Sequence, residues 1–178
     1  MDLERLRKSL GEQAQSLPPV EDWDPEFCGD IELQIKHSGQ WFYMGTPIGR
    51  PALVKLFASV LKKQEQHYYL VTPVEKVGIQ VEDVPFVVTE WRQRDEYIMM
   101  TTSVGDHTIV SPQNPVILQQ DRTNGAVLPY LCVRRNLYAR LHQNVFYQLA
   151  DIATIEPGKE GDKVMVSSGN YQFSLGNC

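Results

Sequence analysis

Arg50, Thr72, Glu75 and Lys76 are the side chains of this chain best suited to holding a small charged ligand. Arg50 ends the turn Gly45-Thr-Pro-Ile-Gly-Arg50 and stands directly before Pro51. Proline suits the first turn of a helix, where a missing N–H costs nothing. Free backbone N–H groups and the positive end of the helix dipole favour an anion there, and a guanidinium can grip a phosphate or carboxylate with two parallel hydrogen bonds. Thr72-Pro-Val-Glu-Lys76 adds a hydroxyl, a carboxylate and an ammonium in a loop between strands, a setting that often presents binding groups. The competing structural reading pairs Arg50 with Glu75 or Asp83 and leaves Glu75 and Lys76 as a solvated pair of little energetic weight.

The second half offers Trp91, Asp106 and Arg134. Trp91 is suited to stacking on a base or other aromatic ring, Asp106 to accepting hydrogen bonds. Arg134 and Arg135 lie on alternate faces of a strand, so at most one reaches a given cleft. Tyr97, Met99, Met100 and Thr102 on the adjoining strand read as core or cleft lining. The expected ligand site thus gathers Arg50, Thr72, Glu75, Lys76, Trp91, Asp106 and Arg134 at a domain junction near Asp83-Val-Pro85, because small-molecule clefts favour such junctions.

No catalytic residue is expected. There is no GxSxG elbow, no phosphate-binding P-loop and no paired histidine at helical spacing. Cys28, Cys132 and Cys178 are far apart and odd in number, which predicts free thiols and a reducing, cytoplasmic setting. His37, His67, His107 and His142 are scattered, so neither a metal nor a cofactor is expected. A formal net charge of −5 argues against bulk attraction to DNA or an anionic membrane. No run is apolar enough for a membrane span, and Met1-Asp-Leu-Glu-Arg-Leu-Arg-Lys8 lacks a signal-peptide core.

The elements that must position these residues follow from periodicity. Leu3, Leu6 and Leu10 form one stripe and predict a helix over residues 2–15, ended by Pro18 and Pro19. Trp23 and Phe27 are expected to anchor the following segment to a core edge. Ile31, Leu33 and Ile35 alternate with Glu32, Gln34 and Lys36, the mark of a half-buried strand. Trp41–Met44 returns beside it. Leu53, Leu56, Phe57, Val60 and Leu61 predict a helix from Pro51, and 68–72 and 77–81 a strand pair. From Val84 the pattern is strands for nearly sixty residues, with a two-residue hairpin turn at Gly105-Asp106. A second helix runs from an Asn144 cap to about Ala153, and a last hairpin turns at Ser168-Gly-Asn170. Ile31–Val81 and Tyr130–Leu175 share the order ββαββ, which suggests duplication. The expected fold class is α+β, with two small domains: residues 1–21 a helix and linker, 22–84 a first α+β domain, and 85–178 a second.

Five segments carry a further likeness: Gly39-x-Trp-x-Tyr-x-Gly-x-Pro-Ile-x-Arg50, Leu53-Val-Lys-Leu-Phe-Ala-Ser-Val-Leu61, Tyr69-Leu-Val-Thr-Pro-Val-Glu-Lys76, Ser103-Val-Gly-Asp106 and Pro129-Tyr-x-x-Val-Arg134. On them the chain resembles a bacterial family of unknown function, numbered twelve-eighty-five, from Cys28-Gly-Asp30 to about Ile152. The resemblance implies two domains with an internal repeat, the second a pleckstrin-homology-like antiparallel barrel with a helix. It also implies a small ligand, nucleotide-based or otherwise anionic, and a role in bacterial signalling. Gln143-Asn144 departs from the family pattern, where a basic residue is expected. The leading functional expectation is a non-enzymatic ligand-binding signalling protein. The alternatives are a protein–protein adaptor and, behind it, a small-substrate hydrolase.

Overall fold

Alternation along Ile31–Ile35 becomes strand geometry in the structure, a computed structural model that describes Arg7 and residues 17–178. The predicted N-terminal helix lies outside the described residues except for Arg7, which is helical. The chain divides between Glu82 and Asp83 into two units.

The first unit opens with a 3-10 turn, Val20–Asp22, and continues β1 (Phe27–Ile35), β2 (Trp41–Tyr43), β3 (Thr46–Pro47), α1 (Pro51–Ser59), β4 (Leu61–Gln64), β5 (His67–Val71) and β6 (Lys76–Val81). Its sheet runs β3-β2-β1-β6-β5-β4. β1 and β6 are parallel and every other pair is antiparallel. One face is the core: Leu33, Ile35, Trp41, Leu61, Leu70 and Val77 are buried with Phe57 and Ala58 of α1. The opposite face carries Asp30, Gly78, Tyr69 and Lys62 in register across β1, β6, β5 and β4. Met44 and Gly45, at φ 51° and 82°, make the tight turn between β2 and β3; paired positive φ values match the strand twist in such turns.

The helix is shorter than its apolar stripe. Val60 leaves helical geometry (φ −110°, ψ 15°) and caps α1, and Leu61 begins β4. Leu61-Lys-Lys-Gln is too polar to announce a strand, yet its pairing with β5 and a 2.9 Å hydrogen bond from Lys62 Nζ to the Trp23 carbonyl hold it in the sheet. Phe27 is not a core anchor: it is 54% exposed and meets the Tyr69 ring edge-on.

The second unit contains β7 (Phe86–Arg94), β8 (Tyr97–Thr102), β9 (His107–Ile109), β10 (Val116–Gln120), β11 (Val127–Arg134), β12 (Leu137–Leu141), α2 (Gln143–Ile152), β13 (Thr154–Glu156), β14 (Lys163–Ser168) and β15 (Tyr171–Asn177). Its larger sheet runs β10-β11-β12-β7-β8-β9, with β12 and β7 parallel, and β13-β14-β15 form a second sheet. Six flat strands would separate β9 from β10 by about 24 Å, at ~4.8 Å per gap. The segment from Ile109 to Val116 could reach only about 25 Å if fully extended, and it is folded back on itself by the Ser111–Asn114 pair. The sheet must therefore curl. Buried Ser168 ties the layers together, accepting from Ile98 N (2.9 Å) and donating to the Val110 carbonyl (2.7 Å).

The protein is thus α+β, mostly β, in two sheet-rich domains with a repeated strand pattern. Each six-stranded sheet is two three-stranded meanders joined by parallel pairing of the first and last strands, β1 with β6 and β7 with β12. Two local expectations change. The turn before β9 spans Ser103–Asp106 rather than two residues: Thr102 N donates to the Asp106 carbonyl, with Gly105 at φ 91°. The cap of α2 is His142, whose Nδ1 accepts from Asn144 N at 3.1 Å, so Asn144 lies within the helix.

Candidate functional site

In the first domain, Thr72 is a structural residue. It is buried, its N–H donates to the Glu75 carbonyl, and its Oγ1 accepts from Val74 N and Glu75 N at 3.3 and 3.0 Å. That hydroxyl shapes the β5–β6 connection. The turn delivers Lys76 to the start of β6, where its Nζ donates to Gln64 Oε1 at 2.9 Å and sits 4.7 Å from the Tyr69 ring centroid. A cation over an exposed ring gains ~0.5–1 kcal/mol. Lys76 makes no ion pair among the described residues. Glu75 is half-buried.

Arg50 occupies the N-cap of α1 in extended geometry, and its carbonyl accepts from Leu53 N and Val54 N. Its side chain is exposed and forms no hydrogen bond or ion pair among the described residues. It pairs with neither Glu75 nor Asp83.

A cleft of about 180 Å³ in the same domain is lined by Cys28, Asp30, Ile31, Glu32, Tyr43, Met44 and Val77. None of these was a predicted site residue. The available signal was Gly29 within an otherwise strand-forming run: it adopts φ 99° and offsets the β1–β6 register. Glu82 closes this domain. Its carboxylate accepts from His37 N at 2.9 Å and lies 3.4 Å from Lys36 Nζ. The His37 N–H chiefly, with Lys36 beside it, holds the acid below its ordinary range against a smaller opposing effect of burial.

The second domain uses its predicted site residues internally. Arg134 and Asp106 meet each other at 2.8 Å, and the guanidinium lies 5.1 Å from the Phe86 ring centroid. This pair fastens the β8–β9 turn to the end of β11. Trp91 Nε1 donates to Gln148 Oε1 of α2 at 2.9 Å, which fixes the indole to the helix. Met99 and Met100 are buried core residues.

Sequence reasoning missed the strongest polar cluster here. Asp83 is 1% exposed; Oδ2 accepts from Tyr130 OH (2.8 Å) and Arg140 NH1 (3.0 Å), and Oδ1 from Arg122 N (2.9 Å). Burial first, and then the Asp83 carboxylate, push the Tyr130 phenol far above its ordinary range. Cys132 is likewise raised by burial and donates to the Arg135 carbonyl, which marks an unreactive thiol. The cluster was hidden because Asp83 lies 47 positions from Tyr130 and 57 from Arg140, and meets them only when β12 pairs with both β11 and β7.

The fold and these clusters define a class: a two-domain, sheet-rich protein with a repeated strand pattern. Residues 18–84 match the N-terminal domain and 85–175 the C-terminal domain of DUF1285, a domain of unknown function. The chain belongs to the DUF1285 family. It is similar to the crystal structure of a DUF1285 family protein from Silicibacter pomeroyi DSS-3, at 40% identity and TM-score 0.83, covering 98% of this chain and 94% of that one. A DUF1285 family protein from Shewanella baltica OS155 matches at 28% identity and TM-score 0.54, covering 68% of this chain and 91% of that one. No curated protein matches the chain. No helix among the described residues is long and apolar enough to cross a membrane.

Proposed function

We propose that the chain is a non-enzymatic protein that binds a small anionic ligand, nucleotide-type or another small acid, and acts in cytoplasmic signalling. The reading rests on one observation: the two cations named for anion binding in the first domain, Arg50 and Lys76, have no carboxylate partner among the described residues. Lys76 is oriented by neutral groups alone, so its charge is held in place without being compensated. Thr72, Trp91, Asp106 and Arg134 support the scaffold, and the ligand contacts narrow to Arg50 and Lys76.

A thermal-shift panel of nucleotides, cyclic dinucleotides and small acidic metabolites tests this. A ligand specific to the native state raises Tm by mass action, with about 2.7 kcal/mol of stabilisation at a hundredfold excess over Kd. Arg50→Ala should abolish the shift and Lys76→Ala reduce it, while each variant alone stays within about 1 kcal/mol of the parent. A flat panel on folded protein sinks the proposal. The adaptor reading would then lead, supported by Ile117 and Leu118, both 38% exposed on the uncharged edge strand β10.

A further inference from the structure

β1 is nine residues long, but β2 pairs only with Leu33, Gln34 and Ile35. One more backbone bond, Met44 N to the Glu32 carbonyl at 2.8 Å, marks where β2 turns away through Met44-Gly45 into β3. The other side of β1 is occupied by β6 as far back as Phe27. Residues 27–31 therefore keep one edge with no strand beside it among the described residues. The 180 Å³ cleft is lined from this stretch by Cys28, Asp30, Ile31 and Glu32, with Tyr43 and Met44 where β2 turns away and Val77 of β6.

The chemistry of the cleft is selective. Asp30 and Glu32, alternate residues of β1, both line it and are exposed. Neither forms an ion pair among the described residues. Ile31, Tyr43 and Val77 supply its apolar part, and Met44 at the rim is 65% exposed. A second copy of the chain pairing here would set carboxylate against carboxylate, which disfavours self-association. A strand with cationic side chains at alternate positions reverses the sign. Its main chain would pair with the open edge, its cations would face Glu32 and, once that carboxylate turns from Gly78 of β6, Asp30, and its intervening apolar residues would face Ile31 and Tyr43.

We infer that this edge of the first domain is a docking slot for an extended basic peptide segment of a protein partner, which adds to the sheet beside residues 27–31 of β1. The inference uses Asp30 and Glu32, and neither Arg50 nor Lys76 lines the cleft. Lys76 pairs with Phe27 at the far end of the slot. Lys76→Ala, which should leave peptide binding intact, therefore keeps failure of this inference distinguishable from failure of the anionic-ligand reading.

Fluorescence anisotropy of the full chain with a labelled heptapeptide of alternating Lys and Val tests the slot. Two controls accompany it: the same peptide N-methylated on alternate backbone amides, and its Glu-Val counterpart. Saturable binding is expected for the Lys-Val peptide alone. Asp30→Lys or Glu32→Lys should weaken it roughly fivefold to tenfold with an unchanged circular dichroism spectrum. Equal binding of the N-methylated peptide, or displacement by equimolar spermidine, would reveal an acidic surface that accepts any polycation and would overturn the inference. So would an undiminished affinity in the two Lys variants. Should those variants fail to fold, the two Lys-Val peptides compared on the parent chain still decide the matter.

Discussion

Asp83 in the second domain receives a phenol, a guanidinium and a backbone N–H while almost wholly buried, whereas Lys76 in the first rests on an amide and an aromatic ring at the surface. The two domains share one six-strand plan, yet they handle charge differently. In the second, Arg134 meets Asp106 and Arg140 meets Asp83. In the first, Arg50, Lys76, Asp30 and Glu32 have no ion-pair partner among the described residues. Ions enclosed without water must be matched within the fold; ions at the surface keep their hydration and remain available to a ligand. On the reading proposed above, the second domain serves as scaffold and the first, despite its Lys36–Glu82 pair, as the presenting surface.

Removing a buried partner gives the largest expected effect. Asp83→Ala or Arg140→Ala should cost about 3–5 kcal/mol in chemical denaturation, because each leaves its counterpart uncompensated. A loss below about 1 kcal/mol would break the comparison.

Two glycines sharpen it at intermediate size. Gly169 has φ 58°, and a Cβ there would come within 2.5 Å of the Tyr97 ring. Gly169→Ala should cost about 2 kcal/mol from left-handed strain and ring displacement. Gly78 in the first domain is crowded only by Asp30, the free end of an exposed, flexible side chain. Gly78→Ala should stay within about 0.5 kcal/mol of the parent, since Asp30 can swing aside and the strand gains rigidity. Equal penalties in the two melts would contradict the difference in backbone conformation, left-handed at Gly169 and not at Gly78.

The smallest effects are in pH dependence, and their signs differ between domains. Glu82 is held below its ordinary value, so its contribution is complete above that value, about 4.3, and is lost as pH falls through the lower folded value. Tyr130 is raised, so its contribution is complete below about pH 10 and is lost as pH rises past it. Urea titrations across pH should show Glu82→Gln flattening the acid limb and Tyr130→Phe the alkaline limb. Exchange of those two effects would be inconsistent with the assigned hydrogen bonds.

Strands were legible wherever one face is buried and the other wet. Ile31–Ile35 alternates because water lies on one side of it. β4 was missed because Leu61-Lys-Lys-Gln owes its place to pairing with β5 and to a carbonyl thirty-nine positions away. The end of α1 was overrun because Val60 and Leu61 continue its apolar stripe although they already serve the cap and the sheet. At the site, residue type marked Arg50 and Lys76 as cations near turns, but it equally marked Arg134 and Asp106, which neutralise each other.

Local pattern by itself determined the α+β class, most strands, both helices of the described chain, the family likeness and the lack of a catalytic motif. These properties depend on periodicity, turn residues and short motifs, all of them near-neighbour information. Only the tertiary structure decided which charges cancel, that β1 pairs parallel with β6 and β7 with β12, and that β2 pairs with only the last residues of β1. Those outcomes depend on which distant strands become neighbours, and Coulomb and hydrogen-bond energies act over a few ångströms in space whatever the separation along the chain.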